Sequence, residues 1–379
     1  MPRLPEPGAP GARYRAAGRG RLVSPQDLPA ALSSRFEVLR NDPDATAVLL
    51  ADDGNAASAR ALTAATAELF ESLATPRRLE IHGRDDDESI ARLVLDGVLE
   101  VEHAGRFVSG PAAHPVWFDG VPAPATSRLA ALSHAALRHG EVLGAGDRVL
   151  QRRLYQFNSR PVTPEWRRRL AGDAAVRGFL RVGARAPRGL THAVEPAWHY
   201  WRRNDRYQPS ERREPSLKLY ISPGIEALPD ALHLTVAQLR SVSGMLAVKA
   251  GRDEYGLMRP DGLVAYFSDW VALSNTAIQL SRLLAGTVAQ GVPFTAEVAG
   301  DGLLSWASDP PAGSANLEWA GDGSWRAWIT GRLASSLTLA ASRPAQVRGW
   351  VFALDRLSLD GVDPVTWAPT SSVWAGEAA

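Results

Sequence analysis

Lys218 and Lys249 are the only lysines in the chain, against 40 arginines. A coding bias toward arginine explains the scarcity but not the survivors. Lysine differs from arginine as a compact point charge that loses its proton when buried. The two positions therefore suit a base or a compact anion ligand, with chance retention as the plain alternative. Tyr220 follows Lys218 in "SLKLYIS", and Arg252 follows Lys249 in "LAVKAGR". Arg259, Asp261 and Tyr266 follow in "MRPDGLVAYF". Two lysines, two arginines and two tyrosines with little acid nearby suit an anion. Phosphate fits best, since arginine binds it bidentately and lysine as a point charge. A solvated basic sheet face balanced by Asp253, Glu254 and Asp261 would give the same composition.

The elements that must position these residues are legible from periodicity. "SLKLYIS" alternates, so a strand puts Lys218, Tyr220 and Ser222 on one face and Leu217, Leu219 and Ile221 on the other. "ALPDALHLTVAQLRSVSG" reads as a helix, "GMLAVKAGR" and "GLVAYF" as strands, and "VALSNTAIQLSRLLAG" as a further helix. The expectation is an α+β fold, a mainly antiparallel sheet layered with helices. Gly291 to Pro311 reads as a site-lining loop, with Thr295, Glu297 and Trp306 its notable residues. Upstream, residues 1–30 read as a disordered arm. Residues 31–120 read as a winged-helix-like module: "RFEVLR" a strand, "ASARALTAATAELFESLA" a helix, then a second helix opened by Asp85 to Glu88, then the hairpin "LEVEHAGRFVSG". That acidic opening argues against DNA and leaves a peptide-docking module or a plain subdomain. "VPAPAT" is a linker, and residues 127–379 form the anion-binding domain.

Composition removes several classes. The chain has no cysteine, so thiolate metal sites and cysteine nucleophiles are out, and a reducing cytoplasm is the expected compartment. Net charge is +1, which draws in neither nucleic acid nor a membrane surface. No signal peptide and no bilayer-length apolar run is visible. There is no GxxxxGK[ST] loop and no GxSxG elbow, and the Gly-rich pieces do not follow strands. The eight histidines are scattered. His134 and His139 lack zinc-ligand spacing, and His199 in "WHYWRR" alone has a basic, aromatic setting. The expectation is a site without metal or cofactor.

In order, "LYQFNSR" (Leu154 to Arg160), "KLYIS", a helix, "VKAGR", "RPDGLVAYF", a helix ending "LLAGTVAQ", "GVPFTA" and "GSWRAWITGRLASSL" resemble the HopA-type bacterial effector domain over residues 150–340. The resemblance adds Arg160 to the site candidates. At the final helix, "GSWRAW" stands where the effector pattern has a Ser-Phe-Gly start. Stand-alone actinobacterial members act in peptide-modifying pathways of the lanthipeptide kind. The resemblance implies a lyase that removes phosphate from phosphothreonine or phosphoserine of a ribosomal precursor peptide, leaving a dehydroamino acid. A separate kinase would be the partner, and the N-terminal module would hold the leader. It further implies Lys218 or Lys249 as base, Arg252 and Arg259 as phosphate ligands, and Tyr220 or Tyr266 as proton donor. Two other readings stay open: an aromatic prenyltransferase, which would need a barrel of about ten strands, and a non-catalytic phosphopeptide-binding partner, which would show a flat basic surface.

Overall fold

The computed structural model describes residues 11–18, 20–28, 45–51, 60–82, 84–183, 186–203, 217–310, 324–342 and 347–370. The N-terminal part comprises β1 (Arg13–Ala16), β2 (Gly20–Val23), β3 (Ala45–Ala51), β4 (Arg60–Thr63), α1 (Ala64–Ser72), β5 (Arg77–Arg78), α2 (Arg84–Leu95), β6 (Leu99–His103) and β7 (Arg106–Val108). One sheet runs β5-β1-β6-β7 and a second β2-β3-β4. The helix–turn–helix–hairpin order read from sequence is present, with two corrections. The expected disordered arm contributes β1 and β2, because Tyr14 is 1% exposed and anchors β1 in the module's core. The helix expected across Ala57 to Ala74 begins only at Ala64, where the Thr63 side chain caps it. "RFEVLR" lies outside the described residues.

The larger part follows: α3 (Arg128–Leu143), α4 (Asp147–Tyr155), α5 (Pro164–Arg169), α6 (Asp173–Phe179), β8 (Leu190–Val194), β9 (Trp198–Arg203), β10 (Leu217–Ile221), α7 (Leu228–Ser241), β11 (Met245–Gly251), α8 (Glu254–Met258), β12 (Leu263–Phe267), α9 (Trp270–Leu283), β13 (Ala296–Glu297), β14 (Leu304–Ser308), α10 (Trp325–Ser342) and α11 (Gly349–Leu359). Seven strands form one sheet in the order β13-β14-β10-β12-β11-β9-β8, and every neighbouring pair is antiparallel. This is the α+β class expected. The stretch read as a loop from Gly291 to Pro311 carries β13 and β14, since Leu304 to Ser308 extend the sheet beside β10.

Strand alternation separates two cores. Leu219, Ile221, Val248, Ala250, Ala265 and Phe267 face α7 and α9. Tyr220, Val264 and Ala307 face the other way, against α3, α4, α10 and α11. The N-terminal module joins this second helical layer through Phe352 and Leu359 of α11, which complete its core. Ionic contacts reinforce the joint: Asp96 takes Arg356, which is fully buried, and lies 4.0 Å from Arg332. His114 meets Asp355 at 2.8 Å.

Candidate functional site

Register decides which side chains meet. Lys218 of β10 stands opposite Tyr266 of β12, Tyr220 opposite Val264, and Lys249 of β11 opposite Val264. On its other side Lys249 faces Tyr200 of β9, and Gly251 faces Trp198. Residues paired across strands share a face, so Lys218, Tyr220, Tyr266, Lys249, Tyr200 and Trp198 all project toward the α3, α4, α10, α11 side. The helices pack on Ala307 of β14, Tyr220 of β10 and Val264 of β12.

Lys249 Nζ lies 4.2 Å from the Trp198 ring centre and 5.3 Å from that of Tyr266. Lys218 Nζ lies 5.4 Å from the same Tyr266 ring. Lys218 is buried and ion-paired to Asp309 Oδ1 at 2.5 Å. Lys249 has no carboxylate in contact among the described residues. Burial, and next the charge of Lys218, push the Lys249 amine down to about 8, against the weaker opposing pull of Asp261. Burial first, then Tyr200, raises the Tyr266 phenol well above its ordinary value; the two hydroxyls are hydrogen-bonded. Tyr220 is raised in the same way by burial and then by Asp309. Both phenols stay protonated and can donate.

The second half of the site is a cluster of two arginines, the buried Arg326 and the partly buried Arg259, on the buried carboxylate of Asp261. Asp261 accepts from Arg259 Nε at 2.8 Å and from Arg259 Nη2 at 2.7 Å. Arg326 Nη1, from the first turn of α10, lies 2.7 Å from Asp261 Oδ2. Tyr155 of α4 completes it: its hydroxyl accepts from Arg259 Nη2 at 2.8 Å, and its ring centre lies 4.5 Å from the Arg326 guanidinium. Burial alone would raise the Asp261 carboxyl, but Arg326 and Arg259 outweigh it and hold it well below the usual carboxylate range. Arg259 also stands 5.2 Å from the Trp198 ring that carries Lys249. The arrangement sets one amine with a lowered pKa beside three cations, Lys218, Arg259 and Arg326, and two carboxylates, Asp309 and Asp261, a surplus of positive charge that suits an anion.

Arg259 takes its place from a tight turn. β11 ends at Gly251, α8 follows, and Arg259 to Gly262 lead into β12. A Cβ on Gly251 would run into the Gly256 backbone and come within 2.7 Å of Leu257 N. Gly251→Ala should therefore displace the turn holding Arg259, costing about 1–3 kcal/mol. Thermal unfolding would show the loss, and weaker binding of inorganic phosphate would show that the arginine had moved. Unchanged values for both would mean the turn tolerates the methyl.

Of the residues expected from sequence, Lys218, Tyr220, Lys249, Arg259, Asp261 and Tyr266 come together. The others do not. Arg252 lies past the end of β11, one residue out of phase with Lys249. It binds Asp173 Oδ1 at 3.1 Å and the Glu195 carbonyl at 3.2 Å. His199 points from β9 to the opposite face, fully buried and 3.2 Å from His192. Burial and then His192 lower it to about 4. Arg160 leans toward Glu226. Thr295 is buried against Ser305, and Glu297 accepts from Leu129 N at the start of α3. Trp306 stacks edge-on with Trp270. Thr295 and Glu297 thus shape the layer around the site, while Trp306, paired with Leu219, lies on the opposite face of the sheet.

Sequence reasoning missed Tyr155, Trp198, Tyr200, Asp309 and Arg326 as site residues. Arg326 did carry a signal, an arginine flanked by Trp325 and Trp328 in an apolar helix. Asp309 carried a weaker one, since it ends β14 and also accepts from Trp325 N at 2.7 Å, capping α10. Among the described residues no cluster of three or more potential ligands is arranged for a metal ion, and no helix is long and apolar enough to cross a membrane.

No protein-family model matches the chain, and no curated protein matches it significantly. Among solved structures it is similar to an effector protein from Pseudomonas syringae pv. tomato strain DC3000, 13% identical with a TM-score of 0.43, over 64% of this chain and 98% of that one. It is also similar to OspF, a type III effector and phosphothreonine lyase from Shigella flexneri, 13% identical with a TM-score of 0.29, over 35% of this chain and 75% of that one. A third is SpvC, a phosphothreonine lyase from Salmonella, 16% identical with a TM-score of 0.28, over 46% of this chain and 89% of that one. Effector proteins and phosphothreonine lyases are thus among its structural neighbours, all at low identity.

Proposed function

We propose that this protein is a lyase that eliminates phosphate from phosphothreonine or phosphoserine in a peptide, leaving a dehydroamino acid. The observation that carries the reading is Lys249, an amine lowered to about 8 and set between two rings, next to the ion-paired Lys218 and the arginine pair on Asp261.

In the reaction, neutral Lys249 takes the Cα proton. The C–H electron pair becomes the Cα–Cβ double bond, and the Cβ–O bond breaks with its pair on the departing phosphate. Arg259 and Arg326 take the phosphate oxygens and meet the growing charge, which is where fixed cations act most strongly on rate. Lys218, held by Asp309, adds a further positive charge. Tyr220 supplies the proton to the leaving oxygen: it lies within the field of Arg326, Asp261 and Tyr155 and stays protonated. The substrate fits a precursor peptide phosphorylated by a separate kinase, since no nucleotide loop is legible in this chain. The order of motifs shared with HopA-type domains supports the same reading.

The two rival readings lose their distinguishing features. The described strands form an open sheet with edges at β13 and β8, where a prenyltransferase barrel would close. Both lysines point into the fold, where a recruiting surface would lay them flat.

The test is to incubate the protein in EDTA with a phosphothreonine peptide, following peptide mass and free phosphate. Loss of the elements of phosphoric acid is expected. Release of phosphate with a threonine left behind would indicate hydrolysis and overturn the reading, and so would an unchanged peptide at saturating concentration.

A further inference from the structure

Arg252 is turned away from the lysines, yet it reaches the site by another route. β8 and β9 are joined by a two-residue turn. Glu195 and Trp198 exchange both backbone hydrogen bonds, at 2.9 and 3.4 Å, around Pro196 and Ala197. Both tip residues are exposed, so core packing does not fix the turn. Arg252 holds it from the end of β11. Its backbone N donates to the Ala197 carbonyl at 3.2 Å, and its Nη1 donates to the Glu195 carbonyl at 3.2 Å. Its Nε is anchored on Asp173 of α6 at 3.1 Å.

The turn delivers Trp198. That residue opens β9 opposite Gly251, and its ring lies 4.2 Å from Lys249 Nζ and 5.2 Å from the Arg259 guanidinium. Among the described residues no other ring lies against both. Lysine is flexible along its four-carbon stem, and Lys249 has no carboxylate in contact among the described residues. A tryptophan ring, set by only two torsions, is the stiffer partner.

We propose that Arg252 is a positioning residue: by holding the β8–β9 turn it sets the Trp198 ring against Lys249 and Arg259 together. Trp198 in turn fixes the spacing between the base and a phosphate ligand. This deepens the lyase reading and rests on it only where turnover is measured. In that reading the Cα, Cβ, bridging oxygen and phosphorus of the substrate lie between the two cations, so a ring against both flanks the bond that breaks. The Arg252 and Asp173 side chains are 35% and 39% exposed, and an ion pair in such a setting adds little to stability. A shift of about 1 Å in the site costs far more in rate, about a hundredfold. Loss of the Arg252 side chain should therefore be felt at Lys249 and hardly in the melting temperature.

The experiment reads Lys249 directly. The full chain is trace-labelled with acetic anhydride across a pH series, and acetylation of Lys249 is followed by mass spectrometry. With two lysines in the chain the assignment is unambiguous. The Trp198 ring acts on the amine in two opposed ways: it keeps out water, and its π face favours the charged form. Burial is the largest cause of the lowered value, so water exclusion wins. The charges felt most by Lys249 are Lys218, Asp261, Arg259 and Asp309, and none belongs to the turn. The midpoint should lie at about 8 in the unmodified protein and move toward 10.5 in Trp198→Ala. Arg252→Gln should move it part of the way, and Trp198→Phe should stay nearer to the unmodified value. Adding Arg252→Gln to Trp198→Ala should change nothing further, because the arginine acts through the ring. An equal shift from Arg252→Gln in both backgrounds would overturn the proposal, and so would an unmoved midpoint in either single variant. None of these readings needs turnover, so they stand apart from the lyase assignment. With a phosphothreonine peptide, kcat/KM should fall about tenfold in Arg252→Gln and about a hundredfold in Trp198→Ala, with the double variant no slower than Trp198→Ala.

Discussion

Lys249→Met should lower turnover of a phosphothreonine peptide by about 10³-fold, within the range that a positioned base supplies. Phosphopeptide binding should persist, because Arg259, Arg326 and Lys218 remain. In the unmodified protein kcat/KM should rise with pH through about 8, the value set by burial and by Lys218 in the free protein, since only the neutral amine accepts a proton. The same shift has a stability consequence of definite sign. Lys249 falls from 10.5 when unfolded to about 8 when folded, so between those values the unfolded chain binds more protons. Stability from this group therefore rises with pH across that window and is lowest below it. The penalty below pH 8 is about 3 kcal/mol. Methionine removes it, so Lys249→Met should melt at a higher temperature near pH 7, with the advantage shrinking toward pH 10. A variant that is inactive and also less stable at pH 7 would mean that Lys249 holds the fold and does not serve as the base.

Asp261→Asn should be the most damaging single change at the site. Its carboxylate is buried between Arg259 and Arg326. Removing the charge leaves the buried Arg326 and the partly buried Arg259 without their counter-ion, which costs about 3 kcal/mol or more. Asp261 also raises the Lys249 amine. Its loss should move the rising limb of the pH–rate profile below 8 in whatever activity remains. A drop in melting temperature together with that shift would show Asp261 acting through both partners. A stable variant with an unmoved limb would remove Asp261 from the scheme.

The sheet and most of the site were legible because strand alternation is a local signal. "SLKLYIS" places Lys218 and Tyr220 together without reference to the rest of the chain. The antiparallel register of β10, β12 and β11 then brings Lys249 and Tyr266 to the same face. Phase also explains the failures. Arg252 and His199 sit close in sequence to Lys249 and Tyr200 but one position out of step, so the sheet sends them to other partners. The contributions from afar were not legible at all. Tyr155 lies 104 residues from Arg259 and Asp309 lies 91 from Lys218, and nothing in local periodicity links such pairs. The disordered-arm reading failed for a similar reason. Tyr14 in a Pro- and Gly-rich stretch gives no periodic signal, and only the groove offered by β5 and β6 makes β1 a strand.

α10 runs from Arg326 in the site to Arg332 beside Asp96 and on to Leu339 against the N-terminal core. Those two arginines are six positions apart, about 9 Å along one rigid helix. A chain trimmed to residues 127–379 would strip Asp96 from the fully buried Arg356 and uncover Phe352 and Leu359. The two parts of this protein are thus poor candidates for shuffling. A front half borrowed from a relative would have to bring its own counter-charge for Arg356, or the exchange would be felt at the far end of the helix.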